Sequence, residues 1–431
     1  MGPRATAHDT RERGNSDRFL KFAFARSRKA GIIDFMVRTL SRLPAGLAAG
    51  WLVVLFAGCG SSSVSPDNYD ADLPGEGEAD AGSVLPEANV DAVPSPDVYI
   101  ATDTDSDTVP PPDTLPAADA GTTDAYAADL GIPLAPVTVV VLPDTQYYSS
   151  SHPDIFPAQT RWIVEQKSAR NIAVVLHVGD LVDGPGDPAQ WTVANSSMRL
   201  LDKALVPYVL VPGNHDTDNN RAGPIDNYFA PATMPWITGT MDPGQIENNY
   251  ALVDIGPQKW LVLGLEFGPR DAVLTWADRM LKTYPTLPTI IVTHAYLYGD
   301  GTRYNYAVYG STQAWYPRYY GFTPAEGIND GEDIWQKLIV PNPNVRLVFC
   351  GHDTGFARLT SLRADGSPVH QMLSDYQWIT KGEPNDLGGS GYLRVLEFDY
   401  SKKEIRVQTY SPYLDLFMTD DANQFTLSLD I

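Results

Sequence analysis

From residue 137 onward the chain repeats one figure. A short run is apolar at nearly every position, ends in a polar residue, and gives way to a longer stretch of different texture. VTVVVLPD (137–144), AVVLHVGD (173–180), PYVLVPGNHD (207–216), PTIIVTHA (288–295) and VRLVFCGH (345–352) are such runs. Helical spacing falls over 156–170 and again over 188–204. A strand that is apolar on both sides of its pleat needs cover on both faces. The alternation therefore predicts an α/β fold with its strands sandwiched between other layers. Two hairpins are expected as well, 250–255 with 259–266 around Gly256-Pro257, and 391–399 with 403–410 turning at 400–402. Segments 217–249 and 296–331 are rich in Tyr, Trp, Pro and Gly and read as loop insertions, and no internal repeat is visible.

The first 132 residues have another texture. The 431-residue chain carries a formal charge of −22, but 16 acidic residues and no Lys or Arg lie between Ser61 and Leu130. That stretch is rich in Asp, Pro, Ala, Thr and Gly, too poor in large apolar side chains to offset its ordering entropy. Residues 59–132 are thus expected to form an acidic tether, stiffened by proline and charge repulsion. DTDSDT (103–108) lacks the Gly and distal Glu of a helix-loop-helix calcium site and reads as solvated spacer. Before it, MVRTLSRLPAGLAAGWLVVLFAGC (36–59) has a basic start, an apolar run and small residues ahead of Cys59, which is a secretory signal pattern. Phe56-Ala57-Gly58-Cys59 resembles a bacterial lipobox, which implies a signal peptide over 36–58 and a lipid anchor at Cys59, outside the cytoplasm. The apolar run is short for a bilayer span of about 20 residues. A signal starting at Met36 makes residues 1–35 a basic extension, with Met36 as initiator. The other cysteine, Cys350, ends an apolar run, so no disulfide framework is expected.

The chemistry lies at the run ends. In sheets of this kind ligands gather beyond the carboxyl ends of the strands. Asp144, Asp180, Asn214, His215, His294 and His352 all fall there. In order along the chain stand Asp144-Thr-Gln146, Gly179-Asp180-Leu-Val-Asp183, Gly213-Asn214-His215-Asp216, Thr293-His294 and Gly351-His352. Any one is weak, since each has a plain reading as a cap, a turn residue or a hydrogen-bonded core histidine. Together, in order and each after an apolar strand, they resemble the calcineurin-like metallophosphoesterase superfamily over at least 137–354. The resemblance implies one domain over 133–431, a four-layer sandwich of two mixed β-sheets flanked by helices. It also implies two divalent cations (Mn, Fe, Zn, Mg or Ca), held about 3.5–4 Å apart, that clamp a phosphate ester and activate a water for in-line attack as metal-bound hydroxide.

Carried over, the first cation falls to Asp144, Gln146, Asp180 and Thr354, and the second to Asp180, Asn214, His294 and His352. His215 would serve the leaving group as proton donor or charge stabiliser, oriented by Asp216. Gln146 and Thr354 stand where the family has histidine, and both departures fall on the first cation. Gln146 offers an amide oxygen, Thr354 is a poor ligand without an intervening water, and Asp353 is a neighbour that could reach instead. The first site is then oxygen-rich, weaker, and suited to a hard ion. Tyr147, Tyr148, Tyr296, Tyr298, Tyr376 and Trp378 either stack on substrate or pack the core, and Arg303 is a candidate phosphate grip. The expected substrate is a phosphorylated small molecule or surface group. A nucleic acid is not expected, because no Lys/Arg run offers a basic groove. The rival is a surface binding module that keeps the fold and has lost catalysis. The retained His215 argues against it, since holding a metal does not require that residue.

Overall fold

The computed structural model describes residues 135–218, 221, 223–379 and 388–431. The segments expected to form a signal peptide (36–58), a lipid anchor at Cys59 and an acidic tether (59–132) lie outside the described residues. No helix among the described residues is long and apolar enough to cross a membrane.

Two seven-stranded sheets face each other. The first runs β13(Leu416–Met418), β12(Glu404–Ser411), β11(Leu393–Asp399), β1(Val137–Leu142), β2(Ile172–His177), β3(Tyr208–Leu210), with β14(Phe425–Ser428) also paired to β12. The second runs β4(Ile237–Thr240), β5(Asn249–Ile255), β6(Gln258–Leu265), β7(Thr289–Thr293), β8(Val345–Cys350), β10(Pro368–Asp375), β9(Gly355–Leu362). Both are mixed: β1–β2–β3 and β6–β7–β8–β10 are parallel, and the outer pairs are antiparallel. Both expected hairpins form, as β5–β6 and β11–β12.

The apolar runs bury both faces, as the pattern requires. Val139, Val141, Val174, Leu176 and Val209 meet Val253, Val262, Ile290, Val292, Leu347 and Phe349 between the sheets. The other faces of β1 and β2, through Val140, Leu142 and Val175, pack under α2(Ile155–Gln166) and α3(Pro188–Lys203). A short helix, α1(Gln146–Ser150), precedes them. Helix α3 starts cleanly because Asp187 caps the Ala189 N–H and Pro188 sits in the first turn. The outer face of the second sheet is covered by a helix not anticipated from the sequence. In that helix, Asp271–Thr283, Val273, Leu274, Ala277 and Leu281 form the buried stripe. The layers are therefore helix, sheet, sheet, helix.

Register brings the strand ends to one edge. Leu142 pairs with His177 and His177 with Leu210, so Asp144, Asp180 and Asn214 lie just past a common line. In the second sheet Val292 pairs with Phe349, and His294 and His352 follow just past these strand ends with ring centroids 4.9 Å apart.

Candidate metal centre

Backbone strain marks the edge. Asp180 (φ 52°) and His352 (φ 76°) are non-glycine residues in the left-handed region, a costly conformation that points their side chains back over the strand ends. Two glycines make room. A Cβ on Gly213 would overlap Asp180 Oδ1, and one on Gly351 would overlap Asp144 Oδ1.

The described residues bring Asp144, Asp180 and His294 together, all buried, with candidate ligand atoms within 4.8 Å of one another. Asp180 Oδ2 lies 3.2 Å from His294 Nε2, and Asn214 Oδ1 lies 3.1 Å from the same nitrogen. His294 donates Nδ1–H to the Val178 carbonyl at 2.8 Å. A carbonyl only accepts, so in the neutral ring Nε2 is a bare lone pair facing two oxygens. Either a proton or a cation must stand among them. His352 is set the same way, giving Nε2–H to the Trp315 carbonyl at 2.6 Å and keeping Nδ1 for a ligand. Burial, and then His294, hold His352 down at about 3, so it is neutral. Imidazoles oriented by carbonyls through the other nitrogen are what metal ligation asks for. The Phe267 ring packs against both.

On the first-cation side Asp144 Oδ2 accepts from the His352 N–H at 2.8 Å, which ties β1 to the loop after β8. Asp144 Oδ1 and Gln146 Oε1 are buried with no hydrogen-bond partner. Two orphaned oxygens would cost about 1–3 kcal/mol each, and cation ligation is one way to offset that cost. The donor set fits the implied metals. Burial, and then Asp375 and Asp180, push the Asp144 carboxyl well above the usual range. Asp180 goes the other way: burial raises it, but His294 and His215 outweigh burial and bring it to about 2.

Three expectations need correction. Asp216 does not orient His215. Its carboxylate is turned inward and accepts from the Gly213, Leu181 and Val182 N–H groups at 2.8, 2.8 and 3.1 Å. Asp183 does the orienting, since its carbonyl accepts His215 Nδ1–H at 2.7 Å. Burial pushes His215 down, but Asp180, Asp183 and Asp216 outweigh it and the ring is raised. Asp353 is not gathered into the centre: it lies outside the ligand group and the cleft lining, and its oxygens accept from the Gly299 and Thr354 N–H groups. Arg303 is no phosphate grip: it pairs with Glu332 and lies over the Trp335 ring.

The cleft above the centre is lined by Gln146, Tyr147, Asp180, Asn214, His215 and His352, with Thr354, Gln377, Trp315, Tyr320 and Trp378 around them. Trp315 and Trp378 are about half exposed, while Tyr148, Tyr296 and Tyr376 are fully buried packing residues. Sequence reasoning missed Trp315 and Tyr320, which come from the 296–331 insertion, and also Gln377.

His177 sits below the centre and is structural. Gly179 N–H donates to its Nδ1 at 3.2 Å, so Nε2–H faces Thr145 Oγ1 at 3.1 Å. Burial, and then His294, hold it at about 3. The unfolded chain takes this proton below about pH 6.5 and the folded one only near 3, so stability falls as pH falls through that window. Between pH 7 and 4.5 the loss is about 2.5 kcal/mol. Urea unfolding at both pH values should show a smaller loss for His177→Asn than for wild type. Equal losses would remove His177 as the source.

Residues 137–355 match the family described as Calcineurin-like phosphoesterase. The chain is 34% identical over 314 residues to the uncharacterized protein YvnB of Bacillus subtilis (strain 168), a match covering 68% of this chain and 22% of that one. The chain thus spans about a fifth of that relative's length. Among solved structures, the purple acid phosphatase PPD1 of yellow lupin aligns with 16% identity and a TM-score of 0.42, over 68% of this chain and 54% of that one. GAP50, described as the anchor in the inner membrane complex of Plasmodium, aligns with 13% identity and a TM-score of 0.37, over 69% and 89%. With the family match covering half of the chain and its motif residues meeting at one sheet edge, this chain belongs to the calcineurin-like phosphoesterase family.

Proposed function

We propose that the protein is a metal-dependent hydrolase of phosphate esters. The observation that carries the reading is the pairing of donors with an absence of basic residues. Asp180 and Asn214 oxygens converge on the His294 Nε2 at 3.2 and 3.1 Å, while among the described residues no Lys or Arg lines the cleft. A phosphate there has only bound cations and His215 to meet its charge. Divalent cations in this donor set supply that charge and an activated water. The protein's own part is to hold and aim. His294 and His352 are locked by backbone carbonyls, and Asp180 is fixed by the His215 N–H at 2.9 Å. His215, raised and held by Asp183, carries the proton for the leaving oxygen on Nε2. Trp315 and Trp378 flank the cleft mouth and offer faces to the organic part of the ester.

The test uses p-nitrophenyl phosphate and bis(p-nitrophenyl) phosphate. Chelator-dialysed protein is expected to lose hydrolysis and to recover it with Mn²⁺. If the Mn²⁺-loaded protein hydrolyses neither ester, the catalytic reading gives way to the binding module.

A further inference from the structure

We propose that the substrate is an organic phosphodiester with a ring on each side of phosphorus, and that Trp315 and Trp378 are the residues that select it. The inference rests on the functional reading above and deepens it by naming the substrate class.

The cleft carries aromatic faces on two separate supports. Trp315 belongs to the 296–331 insertion, and its carbonyl accepts His352 Nε2–H at 2.6 Å, which ties it to one ligand candidate. It holds a φ of 50°, left-handed backbone that a non-glycine residue adopts at a cost. Tyr320 follows on the same insertion, with its ring 5.8 Å from the His352 ring and edge-on to Phe267 at 5.0 Å. Trp378 comes from the turn after β10, next to Gln377. The Gln377 carbonyl accepts the Gly388 N–H. A Cβ on Gly388 would overlap Tyr147, the residue after Gln146. All four rings line one cleft, and both indoles are about half exposed. One aromatic set is therefore held at His352, and the other is linked to the segment that carries Gln146.

An indole face stacks on aryl, base or sugar rings whatever their charge. A monoester has one organic group and can cover one aromatic set. A diester has two and can cover both. Charge points the same way. A monoester carries about −1.5 to −2 near pH 7, and a diester a single negative charge. Apart from the ligand candidates and His215, the described lining offers uncharged amides, hydroxyls and rings, such as Gln146, Gln377 and Thr354. Hydrolysis adds a water oxygen to phosphorus and breaks one P–O ester bond. His215 gives its proton to the leaving oxygen, and the proton lost by the water restores it. The products are a monoester and an alcohol.

The test uses the Mn²⁺-loaded full chain on three esters that share one leaving group: bis(p-nitrophenyl) phosphate, methyl p-nitrophenyl phosphate and p-nitrophenyl phosphate. Wild type is expected to show its highest kcat/KM on the bis-aryl diester. Trp315→Ala and Trp378→Ala should each lower the ratio of kcat/KM for the bis-aryl over the methyl diester by about three- to tenfold. The fall should come mainly through KM, with metal content unchanged, and Trp→Tyr at either position should restore most of it. Intrinsic reactivity of the esters cancels when variant and wild type are compared. Alanine at 315 keeps the carbonyl that holds His352, so a lost ratio reports the ring. If an alanine variant does not fold, Trp→Leu decides, since leucine keeps bulk without a flat face. A wild type that prefers the monoester would overturn the proposal, as would a ratio left unchanged by the substitution at either tryptophan. Both results would leave the functional reading standing, whereas no hydrolysis of any of the three esters would sink that reading as well.

Discussion

Replacing His215 by alanine is expected to lower kcat by about 10²–10⁴, the usual reach of a positioned acid or base, with both cation equivalents retained. The two effects separate because the ring and the backbone of this residue do different jobs. The backbone N–H holds Asp180 Oδ1 at 2.9 Å, and alanine keeps it. The ring makes its hydrogen bond to the Asp183 carbonyl, outside the ligand set, and turns Nε2 toward the cleft it lines. Metal content by elemental mass spectrometry and turnover on the nitrophenyl esters check the two halves. Turnover unchanged with metal retained would remove His215 from the chemistry. Loss of metal together with turnover would make it a scaffold residue.

Asp216→Ala should have the largest effect on stability. The carboxylate satisfies three backbone N–H groups from two loops, those after β2 and β3. Removing it leaves three buried donors unpaired, at about 1–3 kcal/mol each. Partial relaxation brings the expected loss to about 3–5 kcal/mol. The same loops carry Asp180 and Asn214, so cation affinity should fall along with the urea midpoint of the metal-free protein. A loss below about 1 kcal/mol would mean that water replaces the carboxylate.

Five of the ligating candidates were legible because each ends a strand apolar on both faces. Asp144, Asp180, Asn214, His294 and His352 stand out as polar residues just past a buried run, and parallel register gathers the strand ends that carry them. β10 itself was not legible, because His370 and Gln371 interrupt its apolar pattern. Those two side chains are satisfied by Thr360, Ser428, Ser361 and Tyr296, contacts that no local pattern announces. Trp315 and Tyr320 come from an insertion with no period to read. The role of Asp216 was misread because adjacency to His215 suggested a partnership. The turn instead sends one side chain into the protein and the other to the cleft. Sequence neighbours in a tight turn are poor guides to spatial neighbours, whereas strand ends are good ones.

The place of β11 beside β1 carries a consequence for how the domain can be cut. The family match ends at residue 355, yet β1 lies between β2 and β11, and β11 begins at Leu393. A fragment stopping at the match would leave β1 with an open edge of backbone N–H and C=O groups, and β8 would lose β10. Exposed edges of apolar strands pair with other chains. The stretch recognised by its motifs is therefore shorter than the stretch that can close its own sheets, and only synthesis through the C-terminal hairpins completes a monomer.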